Sequence, residues 1–206
     1  MARYFDVHPR NPQPRLVAQA VAMLRDDALI AYPTDSCYAL GFQLDSPTGA
    51  DRIRRIRSLD EGHHFTLVCA EFAQLGQFVH LDNPAFRGIK AATPGPYTFI
   101  LAATKEVPRR LAHQRRRTVG VRIPDHPVVQ ALLRELGKPL VSSSLLLPGA
   151  DEPMTDGWQI KEELDGAVDA VLDAGDCGTE PTTVVDWSAG HPEVLRVGAG
   201  DPARFT

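Results

Sequence analysis

"AYPTDSCYALG", residues 31–41, is the stretch on which the reading of the fold turns. The run leading into it, Ala28-Leu29-Ile30-Ala31-Tyr32, is short, apolar and preceded by charge, which suits a buried strand better than a helical turn. Pro33 cannot donate to a sheet ladder, so the chain is expected to leave the sheet there. Four small polar side chains, Thr34, Asp35, Ser36 and Cys37, then follow at the sheet edge. Strand ends of this kind are where open α/β sheets bind ligands.

The same reading extends outward in both directions. Leu16, Val17, Ala20, Val21 and Leu24 recur at helical spacing after a proline-rich lead-in, so a helix precedes the strand. Ser46-Pro47 sets a cap residue before a proline and opens a second helix, which carries the arginines of "RIRRIR" at 52–57. Residues 65–69 read as a strand. Asn83-Pro84 repeats the cap signal ahead of a helix to about residue 91, then a proline-glycine turn and a strand from residue 97. Residues 118–124 form a strand with Arg122 inside it, and 126–136 a helix that Gly137 closes. "KPLVSSSLLLPG" is a strand that changes from apolar to three serines, and residues 168–175 and 181–187 supply late strands. This alternation predicts one α/β (α+β) domain over residues 1–206, built on a twisted, mixed sheet.

Composition agrees with that class. The 206 residues are 43% apolar and 23% charged, with no 18-residue apolar run and no signal-like start, so the chain reads as cytoplasmic and without a membrane anchor. Cys37, Cys69 and Cys177 form no CxxC pair and read as small buried hydrophobes. The net charge of −4 hides an asymmetry: residues 52–124 carry thirteen Lys and Arg against five Asp and Glu, and residues 151–206 carry three against thirteen. A basic middle points to nucleotide phosphates or a nucleic-acid backbone, with a solvated helix face as the plainer alternative.

Chemistry is signalled by a constellation. The chain has no GxxxxGK[ST], GxGxxG, GxSxG or HExxH, which argues against P-loop, Rossmann, serine-hydrolase and zincin sites. His63-His64 lacks metal-ligand spacing and reads as a loop or surface pair. Polar clusters sit at four strand ends, "PTDS", "VRIP", "VSSS" and "PTTVVD". Together they describe a cleft with hydroxyl donors and fixed cations, suited to phosphates and a carboxylate, with no activated nucleophile.

The ordered set "YPTDSCYALG", "PGPYTFIL", "TVGVRIPDHP", "GKPLVSSS", "PTTVVD" and "VLRVGAG" resembles the signatures of the YrdC-like superfamily over nearly the whole chain. "YFDVHPRNPQPRL", "RIRSLDEGHHFTL" and "TKEVPRRL" are similar to its YciO branch. The resemblance implies a mostly open sheet flanked by helices with a basic concave surface. It also implies L-threonylcarbamoyl-AMP synthesis from threonine, bicarbonate and ATP, with Mg2+ on the triphosphate, serving the modification of certain transfer RNAs. By the same resemblance Thr34 lies near the amino-acid substrate, Arg122 holds its carboxylate, and Ser142 and Thr182 line the substrate side. Arg57, Thr118, Ser144 and Arg196 fall on nucleotide-contacting positions.

Two positions depart from the signatures. KxR becomes Arg57-Ser58-Leu59 and SxN becomes Ser144-Leu145-Leu146, which removes one cation and one carboxamide able to donate and accept. Losing one polar contact to a phosphate in a dry site costs on the order of 2 to 4 kcal/mol, roughly 30- to 1000-fold in rate. Three readings stay open: a synthase-like enzyme, a double-stranded or transfer RNA-binding module with a vestigial cleft, and a ligand sensor.

Overall fold

Pro33 does end a strand. Ile30–Tyr32 (β2) is wholly buried, and after a six-residue connection the chain returns as Ala39–Gln43 (β3), antiparallel to it with Ile30 opposite Gly41 and Tyr32 opposite Ala39. The polar residues therefore leave from the end of an internal strand and not from an edge strand. The structure, a computed structural model, describes residues 1–60 and 63–206.

The other strands are Arg3–Asp6 (β1), Thr66–Val68 (β4), Tyr97–Ala102 (β5), Thr118–Arg122 (β6), Leu140–Ser144 (β7), Ala170–Asp173 (β8), Thr183–Asp186 (β9) and Glu193–Arg196 (β10). They form one mixed ten-stranded sheet in the order β1-β8-β2-β3-β7-β4-β6-β5-β9-β10. The helices are Pro14–Arg25 (α1), Gly49–Arg57 (α2), Phe72–Phe78 (α3), Asn83–Ala92 (α4), Pro127–Leu136 (α5) and Gly157–Glu163 (α6). The α/β class read from the sequence is the observed one.

Side chains alternate between the two sheet faces. Leu40, Phe42, Leu67, Phe99, Val121, Val141 and Val185 belong to the larger core cluster, with Ile53 of α2 and Ile89 of α4. The second cluster joins Ile30, Tyr32, Ala39, Val68 and Leu140 to Val17, Val21 and Leu24 of α1 and Val128, Val129, Leu132 and Leu133 of α5. Both covering helices begin with proline at the first helical positions, whose missing N–H is no loss there, and α5 stops at Gly137, whose φ of 72° is left-handed. Because α1 and α5 cover only part of this face, the stretch from β7 through β9 is left open. That gap is the cleft described below.

Local details differ from the sequence reading. α2 starts at Gly49 after Thr48, and Ser46 acts just before it by accepting the Gly49 N–H at 2.8 Å. α4 is capped by Asp82, which accepts from the Ala85 N–H at 2.7 Å, so Asn83 is already helical. Helices α3 and α6 and strands β1 and β10 carry too few periodic residues to be recognised, and packing makes them. Cys37 and Cys69 are buried, Cys177 half-buried, and all three are free thiols. Among the described residues no helix is long and apolar enough to cross a membrane.

Candidate functional site

The open part of the sheet floors a cavity of about 250 Å3. Gly41, Ser142, Thr66, Gly120 and Ile100 stand abreast on β3, β7, β4, β6 and β5. All but Gly41 line the cavity. Small side chains keep this floor low. A Cβ on Gly120 would meet Thr66 Oγ1 at 3.0 Å and Thr98 Cγ2 at 3.3 Å, so glycine is what lets the neighbouring threonine side chains close over the strand.

Three guanidiniums reach the cleft from different elements: Arg57 from the end of α2, Arg122 from β6 and Arg196 from β10. Each is held by the protein. Arg57 Nε donates to the Leu146 carbonyl at 3.0 Å, and its NH1 donates to Ser143 Oγ. Ser143 Oγ also lies 3.1 Å from His63 Nε2. Arg196 donates to the Thr182 carbonyl from Nε at 3.1 Å and from NH2 at 2.8 Å. Thr182 Oγ1 pairs with Thr98 Oγ1 at 2.8 Å. Arg122 forms an ion pair with Asp35 and donates to Ser36 Oγ at 3.3 Å, while its Nε is buried without a partner.

Burial sets the protonation of this site. Desolvation, helped by the nearby Arg57, pulls the His63 imidazole down to about 4, so it stands neutral at physiological pH. Burial pushes the Cys37 thiol up and lowers Arg57 and Arg196, whose guanidiniums still stay charged. The Tyr32 phenol, pushed up to about 12 by burial, donates to Ser142 Oγ at 2.7 Å. Ser142 in turn donates to the Leu40 carbonyl at 3.0 Å, which leaves its oxygen one further acceptor site.

Six of the eight residues singled out in the sequence line this cavity: Arg57, Arg122, Ser142, Ser144, Thr182 and Arg196. Thr34 does not. Its hydroxyl donates to the Cys37 carbonyl at 2.7 Å and accepts from the N–H groups of Ser36 and Cys37 at 3.2 and 3.3 Å, so it shapes the loop that presents Asp35 and Ser36 to Arg122. Thr118 is buried at the far end of β6, off the cleft, with Oγ1 unpartnered. Leu146 lines the cleft, whereas Leu59 packs against the larger core. The aliphatic residue at 59 is thus a packing residue and not part of the cavity wall.

Sequence reasoning missed His63 and His64 as site residues. They do lie in a loop, yet both are half-buried and line the cavity, which corrects the surface reading. No periodic signal announces such a pair; the one cue was its position just before a strand that ends in the site. Asp35, Ser143 and Asp151 are further polar groups that the fold brings in.

The family model for Sua5, YciO and YrdC proteins, described as "Telomere recombination", matches residues 22–198. The chain belongs to this family. Within it, the chain is 47% identical over 205 residues to the YciO protein of Escherichia coli strain K12, covering 100% of both. The E. coli YciO crystal structure superposes with a TM-score of 0.97. A threonylcarbamoyl-AMP synthase of Vibrio vulnificus strain YJ016 is 32% identical over 157 residues, 75% of this chain and 83% of that protein. The structure of P. abyssi Sua5 complexed with L-threonine matches at 25% identity with a TM-score of 0.86, over 95% of this chain and 57% of that one. The family's twisted mixed sheet is the one described above.

Proposed function

We propose that this chain is a threonylcarbamoyl-AMP synthase-like nucleotidyltransferase that binds ATP, threonine and bicarbonate in the cleft, linked to N6-threonylcarbamoyladenosine modification of transfer RNA. The observation that carries the reading is the convergence of Arg57, Arg122 and Arg196 on one hydroxyl-lined floor. A synthase relative and a threonine-bound structural neighbour support the choice of substrates.

The chemistry asks the protein for position and charge rather than for a nucleophile. Bicarbonate loses water to give CO2, and threonine's amine captures it, giving up the proton that the dehydration consumes, to form a carbamate. A carbamate oxygen then attacks the α-phosphorus, the bond to the bridging oxygen breaks, and pyrophosphate leaves. Arg122, which lines the cavity while Asp35 and Ser36 hold it in place, is the cation suited to the substrate carboxylate. Arg57 and Arg196 suit the phosphates, and Ser142, Ser144 and Thr182 supply polar contacts along the floor. Mg2+ carried on the phosphates would neutralise their charge, and Asp151 is the carboxylate among the described lining residues able to help hold it. Thr34 serves through its loop.

The test is pyrophosphate release from ATP with Mg2+ and bicarbonate, with and without threonine. Threonine-dependent release is expected. Nucleotide binding with no release under any amino acid would sink the synthase reading. A second reading, double-stranded or transfer RNA gripped along the basic surface, draws on exposed Arg115, Arg116 and Arg117 and predicts affinity that falls steeply with salt.

A further inference from the structure

His63 has a second neighbour. Beyond the cleft it also lines a concavity of about 620 Å3, together with Arg54, Arg110, His113, Arg115 and Arg116. Four of these side chains are guanidiniums, and no carboxylate is among the described lining residues. We propose that this annex is an anion subsite for a condensed phosphate group, the diphosphate end of a nucleotide or free pyrophosphate. As a subsite for the nucleotide's own diphosphate it rests on the nucleotide reading of the cleft; its charge argument stands without it.

Several of the cations are set before any ligand arrives. Arg54 donates to Asp51 at 2.9 Å and lies over the Phe65 ring at 5.2 Å. Arg110 NH2 donates to the carbonyls of Leu44 and Ser46 at 3.1 and 2.9 Å, an arrangement that fixes the side chain without neutralising it. The turn that carries Arg115 and Arg116 is itself built. Arg117 N–H donates to the His113 carbonyl at 2.8 Å, Arg116 N–H donates to His113 Nδ1 at 3.0 Å, and Arg117 takes a left-handed φ of 54°. A non-glycine residue holds that conformation only where its surroundings impose it. Arg116 keeps one loose internal partner, Asp186 at 3.9 Å.

Position adds to charge. Arg57, Ser143 and His63 form a contact chain from the cleft to the wall of the annex. The wall is an imidazole held neutral by burial, so it adds no charge of its own between the two sites. Planar guanidinium forks match phosphate oxygens in pairs. Arg54 is already paired with Asp51, so the charge on offer comes from Arg110, Arg115 and the loosely paired Arg116, and it suits a ligand carrying several negative charges better than one carrying a single charge.

Calorimetric titration of the full chain with pyrophosphate, AMP and a short RNA duplex decides the matter. The expected result is that pyrophosphate binds in the presence of saturating AMP. The double variant Arg115→Ala/Arg116→Ala should weaken pyrophosphate about tenfold or more while leaving AMP affinity and Tm unchanged, since both side chains are exposed. Pyrophosphate that fails to bind, that AMP displaces, or that ignores the double variant overturns the proposal. So does a double variant that weakens only the RNA duplex. If pyrophosphate behaves as expected and AMP does not bind, the annex stands and the nucleotide reading of the cleft falls.

Discussion

The Arg122 guanidinium donates to the Asp35 carboxylate, joining the "VRIP" strand to the "PTDS" loop across 87 residues of sequence. Both side chains are about nine-tenths buried, at 9% and 10% exposure, and Asp35 also accepts the Asp125 N–H at 2.9 Å. The pair brings two of the four polar strand ends together. Removing one partner leaves the other as an uncompensated buried charge, so Arg122→Ala should lower unfolding free energy by roughly 3–5 kcal/mol. The double variant Arg122→Ala/Asp35→Asn should recover part of that loss. Urea unfolding of the double variant and of the two single variants, Arg122→Ala and Asp35→Asn, checks this; strictly additive effects would mean that the pair is not coupled.

Thr34 follows a different logic. Its hydroxyl satisfies the Cys37 carbonyl inside a buried loop, so Thr34→Ala should cost about 1–3 kcal/mol of stability through an unpaired carbonyl. Thr34→Ser keeps the hydroxyl and should stay near wild type. A Thr34→Ala protein with wild-type stability and weakened threonine binding would return this residue to direct substrate contact.

His63 gives the fold a pH dependence. Its folded-state pKa of about 4 lies below the ordinary 6.5, so as pH falls the unfolded chain takes the proton first. Its contribution is fully present above about pH 6.5 and drains away as pH drops towards 4. Burial shifts His64 and His126 in the same direction, so His63→Gln should flatten the acid limb of a Tm-versus-pH curve without abolishing it. An unchanged slope in that variant would show that His63 is not held neutral by the fold.

The strand break at Pro33, helices α1 and α5 and the strands β4 to β7 were legible because each carries its own local signal of period, cap or proline. The cleft was legible as a set of strand ends. What the sequence could not convey was which side of each strand faces the gap left by α1 and α5. The resemblance assigns Thr34 to the substrate side and Thr118 to the nucleotide side; in the fold Thr34 belongs to a loop's internal hydrogen bonds, and Thr118 is buried at the opposite end of β6 from Arg122. His63, Ser143 and Asp35 enter through contacts spanning 80 or more residues, and no local pattern encodes such contacts.

The two aliphatic departures from the family signatures are inequivalent, and this can be tested by restoring each polar group. Leu146 lines the cleft and its carbonyl already receives Arg57 Nε, so Leu146→Asn places a carboxamide on the cavity wall beside a fixed cation. If the cleft runs the proposed chemistry, pyrophosphate release should rise about tenfold or more, in line with the worth of one well-placed polar contact to a developing charge. Leu59 instead packs against the larger core, so Leu59→Arg forces a charge toward apolar neighbours and should lower stability by roughly 1–3 kcal/mol with no gain in rate. Parallel assays of release and Tm separate the two cases. A gain in rate from Leu59→Arg and none from Leu146→Asn would mean that the cleft is completed from the α2 side, and that the geometry around Leu146 is not where a nucleotide sits.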